Sequence, residues 1–104
     1  EQALWQALYD HHADLVVVGH DHNYQRYKPL TPTGTLDAAG GIRQFVVGTG
    51  GRSHYRTTGD AGAEVVDDTS FGVLMMTLRP TGYDWRFVPA SGSSFTDSGS
   101  ASCH

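Results

Sequence analysis

The sequence predicts an α/β domain, and three stretches carry that prediction. Residues 1–12 have helical spacing, the apolar run Leu15-Val16-Val17-Val18 follows almost at once, and the apolar stretches 71–79 and 83–88 are separated by Pro80-Thr81-Gly82. A helix running into a β-branched strand is the αβ half of an α/β unit. Two strands joined by a tight turn form a β-hairpin.

A length of 104 residues allows one small domain. Hydrophobic residues make up 38%, enough for a core, and charged residues only 17%. Lys and Arg number 7 against 11 Asp and Glu, a net charge of −4. That balance speaks against nucleic acid or an anionic membrane as partner. No stretch approaches the roughly 20 apolar residues of a membrane-spanning helix. The chain opens on Glu1-Gln2-Ala3-Leu4-Trp5, already helix-forming and without Met or a signal peptide, and is read as a piece of a longer protein. The single cysteine, Cys103, would need a partner outside these residues in a secreted protein.

In the helix, Leu4 and Leu8 are four apart, as are Trp5 and Tyr9. His11 and His12 fall in its last turn, where positive charge suits the helix dipole, and are expected to be surface residues. Asp14 is a turn residue. Leu15 to Val18 reads as a strand buried on both faces, and Gly19 ends it. Ligands of open α/β sheets sit beyond the carboxyl ends of strands, which places His20 and His22 where sites are built. Residues 23–41 read mostly as loop: an aromatic-basic stretch with Tyr24, Arg26, Tyr27 and Lys28, then Pro29, Pro32 and Gly34. Ile42 to Val47 is the next strand, closed by Gly48-Thr49-Gly50-Gly51, whose glycines permit positive φ or close approach. Residues 52–70 read as one long polar loop. In the hairpin, Tyr83, Trp85 and Phe87 share one face, and Asp84 and Arg86 the other. Trp5, Met75, Trp85 and Phe87 are expected in the core. Residues 90–104 are rich in Ser and Gly and read as a flexible tail unable to bury enough to order itself, with Phe95 its one possible anchor.

His20 and His22 carry the chemistry. Neutral imidazole is a common ligand for zinc, iron and manganese. If strand geometry continues, residues two apart face the same way, so both rings address one site or two adjacent ions, and Asp21 points away. A catalytic zinc takes three protein ligands, and a dinuclear centre takes more. Two histidines alone are therefore a partial set.

Gly19-His20-Asp21-His22-Asn23-Tyr24-Gln25-Arg26 resembles the last metal-binding block of the calcineurin-like metallophosphoesterases, and its G-H-x-H-x-Y-x-R form is most similar to the purple acid phosphatase branch. Gly48-Thr49-Gly50-Gly51 with Arg52-Ser53-His54-Tyr55, and the hairpin Gly72-Val73-Leu74 to Tyr83-Asp84-Trp85, resemble secreted bacterial members. The resemblance covers most of residues 1–89. It implies that these form the C-terminal portion of a four-layer α/β/β/α catalytic domain, followed by the tail 90–104. It implies a phosphatase of phosphate esters with two transition-metal ions (iron, zinc or manganese), His20 binding one and His22 the other. A metal-bound hydroxide then attacks phosphorus in line. No side chain of this chain is assigned a catalytic role beyond metal binding. Tyr24 and Arg26 match the pattern without being ligands, and are expected to brace the histidine loop or line the pocket. Arg52 and His54 are expected near the rim, where a phosphate would meet them. The family's other blocks, with their Asp, Asn and His ligands, would lie upstream, and Gly59-Asp60 is read as a chance match. The 104 residues alone are therefore expected to be inactive. Secretion is implied by the same likeness. Two rival readings remain: a β-rich binding module with Tyr83, Trp85 and Phe87 as a ligand platform, and a related domain that has lost catalysis.

Overall fold

A computed structural model describes residues 2–51 and 61–104. It shows an α/β-type domain with two sheets and one short helix. The helix, α1 (Gln2–Asp10), ends in a Schellman motif: the His12 N–H donates to the Tyr9 carbonyl (3.1 Å) and the Ala13 N–H to the Leu8 carbonyl (3.0 Å). That motif requires positive φ at His12, and φ is 63°. The helix is tied to the segment 28–42 by Gln2 Nε2 donating to the Pro32 carbonyl (3.1 Å) and Tyr9 OH donating to Asp37 Oδ2 (2.7 Å). None of its residues is buried, so Trp5 is half-buried at the edge rather than in the core. No described helix is long and apolar enough to cross a membrane.

The first sheet contains β1 (Leu15–Val18), β2 (Tyr24–Tyr27), β3 (Arg43–Val47) and β4 (Ala63–Asp67), in the order β1-β3-β2-β4. β1 runs parallel to β3, while β2 is antiparallel to both its neighbours. Three expectations change here. β1 is an edge strand, so Val17 and Val18 are 48% and 36% exposed instead of buried on both faces. β2 occupies sequence that reads as loop, because its apolar pattern is masked by polar side chains that satisfy one another. Along one face, Tyr27 OH donates to Gln25 Oε1 (2.5 Å) and Gln25 Nε2 to Asn23 Oδ1 (2.8 Å). These polar groups can be buried because each finds a partner. β4 lies in the stretch read as polar loop, and pairs with β2 through Val65 and Val66.

The second sheet is antiparallel, with β5 (Gly72–Arg79), β6 (Gly82–Pro89) and β7 (Ser98–Ser102) in that order. The hairpin register sets Leu74 against Phe87, Met76 against Trp85 and Leu78 against Tyr83. Met76 therefore faces inward, and Met75 faces out, 53% exposed, contrary to its expected core place. The Ser/Gly-rich stretch differs most from expectation. It supplies β7, paired with β6 from Gly82↔Ser102 to Arg86↔Ser98. Two features compensate for its lack of apolar side chains. Phe95 stacks near Phe87 (5.3 Å between ring centroids) and Tyr24 (5.7 Å). Gly99 leaves room for the Trp85 indole, which a Cβ there would meet at 2.4 Å.

The two sheets meet on an aromatic core: Tyr24 and Phe45 from the first, Tyr83, Trp85 and Phe87 from the second. Tyr24 and Phe87 rings lie 5.0 Å apart, Phe45 and Trp85 5.5 Å, separations at which tilted or edge-on pairs attract. Full burial of one such side chain contributes on the order of 2 kcal/mol. Tyr83, Trp85 and Phe87 are 3%, 5% and 0% exposed, so the aromatic face is packed core and offers no ligand platform. The sandwich is open on one side, where Leu15, Leu78 and Tyr83 line a cleft and Leu78 is 74% exposed.

Candidate functional site

The His20–His22 segment bridges the carboxyl end of β1 and the start of β2. The Asp21 N–H donates to the Gly19 carbonyl (3.0 Å) and the Asn23 N–H to the Asp21 carbonyl (2.9 Å). Each bond spans three residues, so His20 and His22 sit at the centres of two successive γ-turns. His20 has φ 76°, the rarer and strained form. Strand geometry therefore stops at Val18. No strand pleat puts His20 and His22 on one face or turns Asp21 away from them, because two tight turns replace it. His20 is exposed and His22 half-buried.

The loop is held from three sides. β1 is paired to β3 up to Val18↔Val46. Beneath it lies Gly48, whose N–H donates to the Asn23 carbonyl (3.0 Å). A Cβ on Gly48 would fall 1.8 Å from the Asp21 carbonyl oxygen and 3.2 Å from His22 Cα, so only glycine permits this approach. Thr49 is itself fixed to the second sheet, its Oγ1 donating to the Gly72 carbonyl (2.8 Å) and its carbonyl accepting the Gly72 N–H (3.0 Å). On the third side, the loop runs into Asn23 and Tyr24, 1% and 0% exposed.

Tyr24 and Arg26 face the inter-sheet core. Tyr24 OH donates to Asp97 Oδ2 (2.6 Å); Arg26 donates from Nε to Asp97 Oδ2 (2.8 Å) and from Nη2 to Oδ1 (3.1 Å). Arg26 Nη1 also meets Glu64 Oε1 (2.5 Å), which accepts from Arg43 as well (2.7 Å). Both guanidinium groups lie over the Trp85 ring, at 5.1 and 5.0 Å. Burial, and then the bond to the Asp97 carboxylate, push the Tyr24 hydroxyl well above the ordinary tyrosine range. Burial works against the charge on Arg26, but the Asp97 bond and the nearby Asp97 and Glu64 charges outweigh it and raise its pKa. Arg52 and His54 lie outside the described residues.

Asp97 escapes a reading by composition. It is the sole acidic residue of the stretch 90–104, and that isolation beside Phe95 is the signal that could have found it.

The donor set suits a transition metal in part. Two imidazoles on one short, braced loop are nitrogen ligands of the kind zinc, iron or manganese takes. Among the described residues, no three of His, Cys, Asp and Glu gather to hold an ion, so His20 and His22 fit as two donors of a larger set. Compared with models of known protein families, with curated proteins and with solved structures, the chain matches none.

Proposed function

We propose that this chain is the C-terminal portion of a metallophosphoesterase catalytic domain that hydrolyses phosphate esters, phosphomonoesters foremost. The observation that carries the reading is the loop Gly19–Asn23: two histidines at the carboxyl end of a strand, each centred in a γ-turn, clamped over Gly48. Backbone strain of this kind is found where surrounding structure holds a functional group in place. His20 and His22 would each give one ring nitrogen to one of two ions, iron, zinc or manganese. When bound, those ions would activate water and neutralise the phosphate oxygens. The chain's own part is to hold the two imidazoles at a fixed spacing before any ion arrives, through Gly48 below and Tyr24 behind. The remaining ligands would come from elsewhere in the longer protein. The exposed edge of β1 is where further strands of a four-layer sandwich would pair. Export from the cell belongs to the same proposal.

The test uses the longer protein. His20→Ala and His22→Ala should each lower its transition-metal content from about two ions per chain and abolish p-nitrophenyl phosphate hydrolysis. Wild-type turnover in both variants at matched metal loading would sink the reading. The 104 residues alone should turn over little.

A further inference from the structure

We propose that Asp97 is a positioning residue for the histidine loop: carried by the Ser/Gly-rich segment, its carboxylate ties Tyr24 and Arg26 to β6 and so sets where the loop ends. This rests on His20 and His22 being metal donors.

Both ends of the tie are visible. On one side, the Asp97 carbonyl accepts the Phe87 N–H (2.7 Å), and Thr96 Oγ1 donates to the Phe87 carbonyl (2.7 Å). Asp97 is thus fastened to β6 by its backbone, with β7 beginning at the next residue. On the other side, its two oxygens take three hydrogen bonds from β2, one from Tyr24 and two from Arg26. The carboxylate is 9% exposed, and the Arg26 side chain 14%. Charge-assisted, two-pronged contacts of this sort fix geometry as well as contributing energy.

From Tyr24 the path to the histidines is short. Asn23 precedes it; the Asn23 carbonyl takes the Gly48 N–H, and the Asn23 N–H closes the γ-turn centred on His22. Without the carboxylate, Tyr24 OH would be a buried donor lacking its acceptor, and Arg26 would keep Glu64 as its remaining carboxylate partner. Either group regains satisfaction only by shifting β2, because a buried donor or charge left unpaired is costly. A shift at Tyr24 is transmitted to Asn23 and the second turn. The loop then samples several arrangements, and the two imidazoles lose the fixed spacing that metal binding uses.

The experiment compares Asp97→Asn, Asp97→Glu and Tyr24→Phe with wild type in the longer protein. Two readouts are taken: Zn²⁺ affinity by competition with a chromophoric chelator, and amide hydrogen exchange of the metal-free protein. Asp97→Asn should weaken Zn²⁺ binding about tenfold, at the lower end of what supporting partners of metal ligands contribute. It should also speed exchange at Asn23 and Gly48 while Met75 and Arg86, paired across the hairpin, stay protected. Asp97→Glu, which keeps the charge, should recover part of both effects. Unchanged affinity together with unchanged exchange at Asn23 and Gly48 overturns the proposal. So does exchange that rises equally at Met75 and Arg86, which is the mark of a merely structural residue. If Asp97→Asn fails to fold, Tyr24→Phe decides: it deletes one of the three bonds and leaves no buried donor, and should show the same pattern at smaller size. Zn²⁺ affinity that survives His20→Ala and His22→Ala would instead remove the metal reading, while the exchange measurement still tests the tie between Asp97 and the loop.

Discussion

Two histidines have positive φ, the only non-glycine residues to do so among those described: His12 at 63° and His20 at 76°. At His12 the dihedral belongs to the end of α1, and the two Schellman bonds recover carbonyls that the helix would otherwise leave unpaired. At His20 there is no helix to end. The γ-turn bond across it is a local return too small to explain a conformation that costs about 1–3 kcal/mol. The backbone that follows it is held by the fold: Gly48 lies under Asp21 and His22, Tyr24 is buried beyond them, and Asp97 is bonded to Tyr24. One histidine is shaped by its neighbours in the chain and the other by the fold. The two regions are alike in one further respect, since each is backed by a tyrosine donating to a carboxylate, Tyr9 to Asp37 and Tyr24 to Asp97.

The largest test of that contrast is Gly48→Ala. The new methyl collides with the Asp21 carbonyl, and stability should fall by about 1–3 kcal/mol, the range for overpacking. In the His12 region, Gly40→Ala meets only the Asp37 side chain at 3.3 Å and should change little. Urea midpoints compare the two; equal losses would break the contrast. A smaller effect is expected from glycine itself. His12→Gly should raise stability by about 1 kcal/mol, because it removes a side chain from the left-handed region, and should leave Zn²⁺ affinity as it was. His20→Gly should relieve backbone strain but weaken Zn²⁺ binding. A stabilised His20→Gly that keeps its metal would detach strain from function here.

The smallest effect is on alkaline stability. Tyr24 and Tyr9 both have raised pKa values, Tyr24 mainly through burial and Tyr9 mainly through its bond to Asp37. A raised folded pKa means the unfolded chain loses the proton first. The stabilisation is present below the ordinary value of 10.0 and is lost as pH rises beyond it. Urea midpoints followed from about pH 9 to 11 should therefore fall. Tyr24→Phe should flatten that fall more than Tyr9→Phe, and the reverse order would place the heavier constraint on the helix side.

The helix, β1, β3 and the hairpin were legible because apolar spacing marks them. β2 was not, since Asn23, Gln25 and Tyr27 hydrogen-bond one another and so tolerate burial that their polarity argues against. The inward face of β5 was ambiguous because the run from Val73 to Met76 is apolar at every position. Only the register with Trp85 and Phe87 decides that Met76 turns in and Met75 out. At the site, the histidine pair could be picked out by type and place. The paired γ-turns and the Asp97 tie could not, because both depend on contacts made across the fold.

The Ser/Gly-rich strand inverts the usual pattern of mutational tolerance. Ser98 and Ser102 are exposed and accept replacement, whereas the residue with no side chain is the one that cannot change. A methyl at Gly99 strikes the Trp85 indole, and across the sheet a methyl at Gly72 strikes the Phe87 ring at 2.8 Å. Sequence drift through this stretch would scramble its serines and spare its glycine, keeping the vacancy that the aromatic core fills.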